Sequence, residues 1–188
     1  MKDYYEQTFE KKHWTSDEVG GGRFEACAFQ NCNFEGVNFM DVVFEDCQFE
    51  SCNFSGSFLS DIAFRTVHFN ACKMSGLNFE TINPLGLAMT FKECILDYSI
   101  FTNLDVSSTD FGESSLVDCD FSGAALQRSD FQNCNLADAT FDRTNLEKAD
   151  FRGARNLRLD LAKNRLKKAV FNREQAVELL ERFDLVFE

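Results

Sequence analysis

Basic charge is in short supply in this chain of 188 residues: 19 Lys and Arg stand against 31 Asp and Glu, a formal net charge of -12. A phosphate backbone would be repelled, so direct nucleic-acid binding is not expected. Long apolar runs are missing as well. No stretch approaches 18 consecutive apolar residues, and the start Met1-Lys2-Asp3-Tyr4-Tyr5-Glu6 lacks the apolar centre of a secretion signal. No membrane contact is expected, and the expected location is the cytoplasm. No C-x-x-C pair, P-loop or G-x-G-x-x-G fingerprint occurs, so neither a metal nor another cofactor is expected. The two histidines, His13 and His68, stand apart from any Ser or Cys arrangement that would make a nucleophile, which points away from an enzyme. Proline and tryptophan occur once each, whereas Phe occurs 22 times and Cys eight times.

The phenylalanines are placed by a period of five. Stepping from Phe24 gives Phe29, Phe34, Phe39, Phe44, Phe49, Phe54, Leu59, Phe64, Phe69, Met74 and Phe79 without a miss. A second run steps from Phe91 to Phe151 with Phe alternating with Leu or Val, and the two runs absorb 17 of the 22 Phe. The residue two before each centre is never charged, and all eight cysteines occupy that position: Cys27, Cys32, Cys47, Cys52, Cys72, Cys94, Cys119 and Cys134. They read as free thiols filling a core beside the Phe rings.

A step of five advances about 140° net around an α-helix and would scatter the Phe over all sides. In a straight strand it would alternate them between faces and put half in water. A chain that turns a corner every five residues satisfies both constraints. The centre and the residue two before it then point inward from one short side, and the other three face out. Twenty residues is the longer repeat: Cys32-Asn33-Phe34-Glu35-Gly36 returns as Cys52-Asn53-Phe54-Ser55-Gly56 and Cys72-Lys73-Met74-Ser75-Gly76, and Asp110, Asp130 and Asp150 each precede a Phe. The coil is therefore four-sided, with Phe on two opposite sides and Leu or Val on the other two in the second run.

Ser129-Asp130-Phe131-Gln132-Asn133 and Ala149-Asp150-Phe151-Arg152-Gly153 resemble the unit of the pentapeptide repeat family, a small residue, Asp or Asn, Leu or Phe, and two variable polar residues. The resemblance covers roughly residues 24 to 155. It implies an all-β solenoid, a right-handed quadrilateral parallel β-helix, which agrees with the spacing. The predicted organisation is an N-terminal cap or first coil over 1–22, repeats over 23–156 with a break at 80–90 around the single Pro84, and a C-terminal closure over 157–188. In that closure Asn172 and Gln175 read as a helix start. Ala176, Leu179, Leu180 and Phe183 share one side of the helix, and a short strand follows with Leu185 and Phe187. This segment resembles the dimerisation module of quinolone-resistance pentapeptide proteins, so a homodimer is expected through these six residues.

The charge lies on the repeats. Residues 24–156 hold 20 acids and eight bases. Some six to seven coils at about 4.8 Å make a rod roughly 30 Å long, on the order of one negative charge per 2.5 Å against about 1.7 Å for duplex DNA. Residues 24–64 carry Glu25, Glu35, Asp41, Glu45, Asp46, Glu50 and Asp61 and no Lys or Arg. Stacking by twenty sets Glu25 over Glu45 and Asp41 over Asp61, giving acidic columns as a candidate partner-binding surface. Quinolone-resistance and microcin-immunity members of the family are regarded as DNA mimics that bind DNA gyrase and topoisomerase IV. The resemblance therefore implies a non-enzymatic DNA mimic with one of these topoisomerases as partner. Several resistance proteins carry projecting loops, for which only the 80–90 segment is available here. The alternative is a repeat scaffold whose protein partner is unrelated to DNA. On this reading Phe44→Ala costs roughly 3 to 5 kcal/mol in denaturant unfolding, while Gln30→Ala on the surface is near neutral.

Overall fold

A computed structural model describes residues 2 to 181. Short strands β1 (Asp3–Tyr5), β3 (Arg23–Glu25), β5 (Val43–Glu45) and β7 (Ala63–Arg65) form one parallel sheet. The strands β2 (Thr8–Glu10), β4 (Ala28–Gln30), β6 (Gln48–Glu50), β8 (Val67–Asn70) and β9 (Met89–Lys92) form a second. Neighbours pair in a twenty-residue register, Phe24 on Phe44 on Phe64 and Phe9 on Phe29 on Phe49 on Phe69. Single parallel bridges at the same offset, such as Asn33↔Asn53 and Asp120↔Thr140, carry the remaining sides. The result is the quadrilateral parallel β-helix that the spacing required. Its sides are called face 1 to face 4 below, after the centres Phe24, Phe29, Phe34 and Phe39.

The core follows from the period. Every centre from Phe24 to Phe79 and from Phe91 to Phe151 is buried, and so is every residue two before a centre. On face 2 nine rings stack in one column, from Phe9 through Phe29, Phe49, Phe69, Phe91, Phe111, Phe131 and Phe151 to Phe171. Their centroids lie 4.5 to 5.5 Å apart, with planes within 23° of parallel. Rings on adjoining or opposite faces meet edge to face, as Phe111 does with Phe121 at 5.8 Å and 80°. Both arrangements suit the quadrupole of a benzene ring.

Corners form at the second residue after each centre, which adopts a left-handed backbone at Ala26, Asn31, Asp46, Thr66 and their equivalents. Gly36, Gly56 and Gly76 form one such corner column with φ of 67 to 71°, where glycine relieves the Cβ strain that the other corner residues bear. Cys and Ser before the centres do more than fill space. Ser57 Oγ donates to the Phe34 carbonyl at 2.7 Å, and Cys47 and Cys134 point their thiols at the carbonyls of Phe24 and Phe111 at 3.4 and 3.0 Å. Each bonded carbonyl lies 23 residues back, so these side chains tie one coil to the next.

The break is a two-residue bulge. Ala63 still bridges Asn83 at twenty, but Phe69 pairs with Phe91 at 22, so the extra residues fall on face 1. Asn83 accepts the N–H of Leu85 at 3.0 Å, and Gly86 takes φ +74°. At the N-terminus residues 2–22 complete a full coil: Tyr4 stacks on Phe24, Trp14 on Phe34, and the Lys12 ammonium lies 3.7 Å over the Trp14 ring. A one-turn helix α1 (Ser16–Val19) closes it, with Thr15 and Glu18 as a capping box. Helix α2 (Arg173–Glu181) follows the last coil. Its Gln175 accepts the Asn172 N–H at 2.9 Å and donates to the carbonyl of Phe151 at 2.9 Å, fastening the helix to the rod.

All eight cysteines are buried and unbridged. Burial pushes Cys47, Cys119 and Cys134 from an ordinary value of 9.0 up to about 12. A raised folded-state value means that the folded chain holds these protons more tightly than the unfolded one. The stabilisation is complete below about pH 9 and is lost as pH rises toward 12. Chemical unfolding followed from pH 8 to 11 should show the midpoint falling above pH 9. An aromatic disulfide reagent at pH 8 should label no thiol until denaturant is added.

Candidate functional site

Each side of a coil presents two outward residues, one before the centre and one after, with a third at the corner. The residue before the centre has a local duty. Asp110, Asp120, Asp130 and Asp150 each accept, through Oδ1, the N–H two residues on at 2.8 to 3.0 Å. Asn33, Asn53 and Asn78 make the same bond in the N-terminal coils. This is an Asx turn, which either side chain can close. The carboxylate charge in the later coils is therefore surplus to the fold. Asp110, Asp130 and Asp150 are bridged in one column on face 2, where like charges at strand spacing repel. Among the described residues only the last is ion-paired: the Arg152 guanidinium lies 2.6 Å from Asp150 and holds its carboxyl below the usual range.

The seven acids singled out from sequence divide by environment. Glu25 and Glu45 stack on face 1 as expected. They share the Arg23 guanidinium at 3.4 and 2.8 Å, and Arg65 adds a second cation 3.5 Å from Glu45, so this column is largely compensated. Glu50 on face 2 accepts from Asn70 at 2.7 Å, and Glu35 on face 3 from Asn53 at 3.4 Å. Asp41 and Asp61 stand twenty apart at the corner between faces 4 and 1, and Asp46 at the corner between faces 1 and 2, all three exposed and left-handed. None of the last five joins an ion pair among the described residues. The acids are thus distributed around the rod and do not converge on one spot.

Reasoning from sequence passed over a second set. Glu93 and Glu113 occupy successive corners between faces 2 and 3; Asp118 and Asp138 do so between faces 3 and 4. Asp97 and Asp120 lie beside the latter. Two acidic ridges therefore flank face 3 in the C-terminal coils, and the recurrence at twenty, 93 to 113 and 118 to 138, was the available signal. Of the 20 acids between residues 24 and 156, six join ion pairs in the described structure, which leaves 14 without one.

The residues expected to dimerise have mixed placements. Leu179 is buried in the chain's own core, and Ala176 and Leu180 are half-buried. Phe183, Leu185, Phe187 and the expected terminal strand lie outside the described residues. What α2 visibly does is cover the last coil. Among the described residues no cluster of three metal-ligating side chains occurs, and no helix is long and apolar enough to cross a membrane.

The family model for the pentapeptide repeat region matches residues 22–84 and 87–151, on either side of the bulge, and the chain belongs to the pentapeptide repeat family. A trypsin-treated form of QnrB1, described as a plasmid-mediated fluoroquinolone resistance protein, superposes with a TM-score of 0.68 at 17% identity, covering 99% of this chain and 100% of that one. HetL, a pentapeptide repeat protein involved in heterocyst differentiation regulation from the cyanobacterium Nostoc sp. strain PCC 7120, gives 0.52 at 14% identity over 90% of this chain and 84% of its own. At these identities the likeness is one of fold. A search of curated proteins returned no match.

Because Asn closes the same turn, Asp130→Asn should keep the coil while removing one of two unneutralised like charges. Thermal unfolding should give a melting temperature unchanged or raised, equivalent to at most about 1 kcal/mol. Asp130→Ala, which opens the turn, should lower it.

Proposed function

We propose that this protein is a non-enzymatic DNA mimic that binds a type II topoisomerase, DNA gyrase or topoisomerase IV, in the groove that holds duplex DNA. The observation that carries this reading is the set of carboxylates without cation partners, repeated at coil spacing along faces 2, 3 and 4. Two acidic ridges with a less charged face between them supply the pattern that a basic, DNA-binding groove recognises in paired phosphate backbones. QnrB1, whose fold this chain shares, is described as a fluoroquinolone resistance protein, and protection of a topoisomerase from quinolones or toxins is the corresponding role for this chain. The partner surface comprises Glu35, Asp41, Asp46, Glu50 and Asp61 with the later ridges. Glu25 and Glu45 contribute less, because Arg23 and Arg65 screen them. The reading includes a cytoplasmic homodimer, with Ala176, Leu180 and the segment bearing Phe183, Leu185 and Phe187 as its C-terminal contact.

A second reading draws on exposed apolar side chains. Phe58 and Met40 on face 4 are 63% and 51% exposed, and Tyr98 and Ile100 stand near them two coils on. Such residues suit a protein partner and have no counterpart in phosphate mimicry. They favour a scaffold that binds some protein unrelated to DNA.

A DNA supercoiling assay separates the two. Mimicry requires inhibition at micromolar protein that weakens with added salt and is overcome by excess DNA. The variant Asp110→Asn/Asp118→Asn/Asp130→Asn, folded by circular dichroism, should lose about tenfold or more in potency, whereas Phe58→Ser should not. No inhibition by the wild-type chain, or a loss with Phe58→Ser alone, would overturn the topoisomerase reading.

A further inference from the structure

Along face 4 the residue before each centre runs Asn38, Phe58, Asn78, Ile100 and Asp120, one per coil. Three of these close the Asx turn that the position serves elsewhere. Asn38 accepts the Met40 N–H at 3.1 Å, Asn78 that of Glu80 at 3.0 Å and Asp120 that of Ser122 at 2.9 Å. Phe58 and Ile100 cannot. Each forgoes a bond that Asn or Asp would make, and neither side chain is taken into the core: both are exposed, Ile100 by 37%.

Asn78, drawn back to its own turn, leaves a notch between the two. Phe58 and Ile100 are two coils apart, about 9.6 Å, which admits one side chain from outside. The apolar surface continues to either side, with Met40 one coil below Phe58 and Tyr98 at the corner beside Ile100. Tyr98, at φ 64°, is the one aromatic residue among the described left-handed corners. In the coils below it that corner is Gly76, Gly56 and Gly36, where an added Cβ would meet no atom within 4 Å, so the notch is open from the corner side.

The charge around it has one sign. On face 4 and its two corners, across the five coils from Gly36 to Gly123, the charged residues are Asp41, Asp61, Glu80, Asp118 and Asp120, with no Lys or Arg. None of the five joins an ion pair among the described residues. A second copy presenting the same face would set acids against acids. An apolar group that arrives with cations beside it is attracted, and the exposed rings of Phe58 and Tyr98 can also receive a Lys or Arg over their faces.

We propose that the notch between Phe58 and Ile100, with Met40 and Tyr98 beside it, docks a segment of a partner protein that carries a large apolar side chain between Lys or Arg residues. This rests on the second reading above, a protein partner met through exposed apolar side chains, and adds the chemistry of the segment. The apolar side chain enters over Asn78, and the cations on either side of it meet Glu80 and Asp61 or Asp118 and Asp120. From Met40 to Tyr98 the surface spans about 14 Å, the length of roughly four extended residues. A contact so short is weak and salt-sensitive.

Fluorescence anisotropy with three labelled octapeptides tests it, in the absence of any topoisomerase, so that the outcome is separate from that of the supercoiling assay. At 50 mM salt Gly-Lys-Lys-Leu-Phe-Lys-Lys-Gly should bind about tenfold more tightly than the charge-only Gly-Lys-Lys-Ser-Ser-Lys-Lys-Gly or the apolar-only Gly-Ser-Ser-Leu-Phe-Ser-Ser-Gly. Phe58→Asn/Ile100→Asn, which restores the turn residue of the neighbouring coils, should reduce the first peptide to the level of the charge-only one while the melting temperature stays unchanged or rises. Tyr98→Gly, the residue of the coil below, should weaken it about threefold or more. A first peptide no tighter than the charge-only one, or indifferent to Phe58→Asn/Ile100→Asn, would overturn the proposal. Equal binding of the apolar-only peptide would remove the cationic chemistry and leave an apolar protein contact standing; no binding of either Leu-Phe peptide would remove both. A double variant that melts lower would show that Phe58 and Ile100 serve the fold, and wild-type self-association in sedimentation velocity that the double variant loses would assign the notch to a second copy; either result overturns the proposal.

Discussion

One contact organises the molecule: the stacking of a large apolar side chain on its equivalent in the coil below. The ladder of strand hydrogen bonds fixes coils at about 4.8 Å, a spacing at which planar rings lie parallel at van der Waals distance. Phe therefore suits the position better than a branched side chain of similar volume. Once the rings stack, coil length is held at twenty residues unless a surplus can be pushed out of the coil, because otherwise the next ring would leave its column. The two extra residues near Pro84 show how the rule is kept under strain. The chain does not shift Phe91 off Phe69; it expels the surplus onto face 1, and the columns of faces 2, 3 and 4 continue unbroken.

A register this strict makes the surface periodic too. Whatever stands at an outward position is stacked on its own equivalents, so a preference for acids becomes a line of charge. Some of those acids have a structural duty, closing Asx turns before a centre. The use of Asn for the same bond in the first coils separates that duty from the charge. Asp130 and Asn53 accept equivalent N–H groups, and only one of them adds to the field around the rod. The cost of stacked like charges is borne in the later coils without a gain in folding that Asn would not match, which is why the field itself is the feature requiring a function.

Much of this was open to inspection in the sequence, because a period of five excludes both helix and flat strand on geometry alone. The stacking of Phe24 on Phe44, the inward cysteines, the Phe and Leu alternation and the Asn172 helix start all follow from spacing. What spacing could not resolve was where a side chain leans once it is outside. Glu25 and Glu45 recur at twenty and so announce a column, yet their compensation depends on the reach of Arg23 across the strand. The ridges at Glu93 and Glu113 were equally periodic but lay amid bases, Lys73 and Lys92, whereas the stretch 24–64 drew notice by having none. Leu179 illustrates another limit. An apolar helical side has the same pattern whether it covers its own chain or a second copy, and only the packing against the last coil decides it.

The four sides of one coil thus came to differ although the repeat treats them alike. Faces 2 to 4 keep their columns through the bulge and carry carboxylates without partners; face 1 is interrupted and carries both signs. An insertion of two residues leaves Ala63 over Asn83 below and resumes with Asp105 over Ala125 above, so the outward columns of face 1 fall into two halves about the bulge. Both halves carry both signs: Asp3, Arg23, Glu25, Glu45 and Arg65 stand before the bulge, and Asp105, Glu147, Arg165 and Lys167 after it. A rod that used all four sides to imitate a polyanion would have no reason to place Arg23, Arg65 and Lys167 together on one of them. Cations stand on other sides too, Lys73 and Arg155 on face 3 and Lys92 and Arg152 on face 2, but carboxylates outnumber them there, so faces 2 to 4 carry the surplus negative charge.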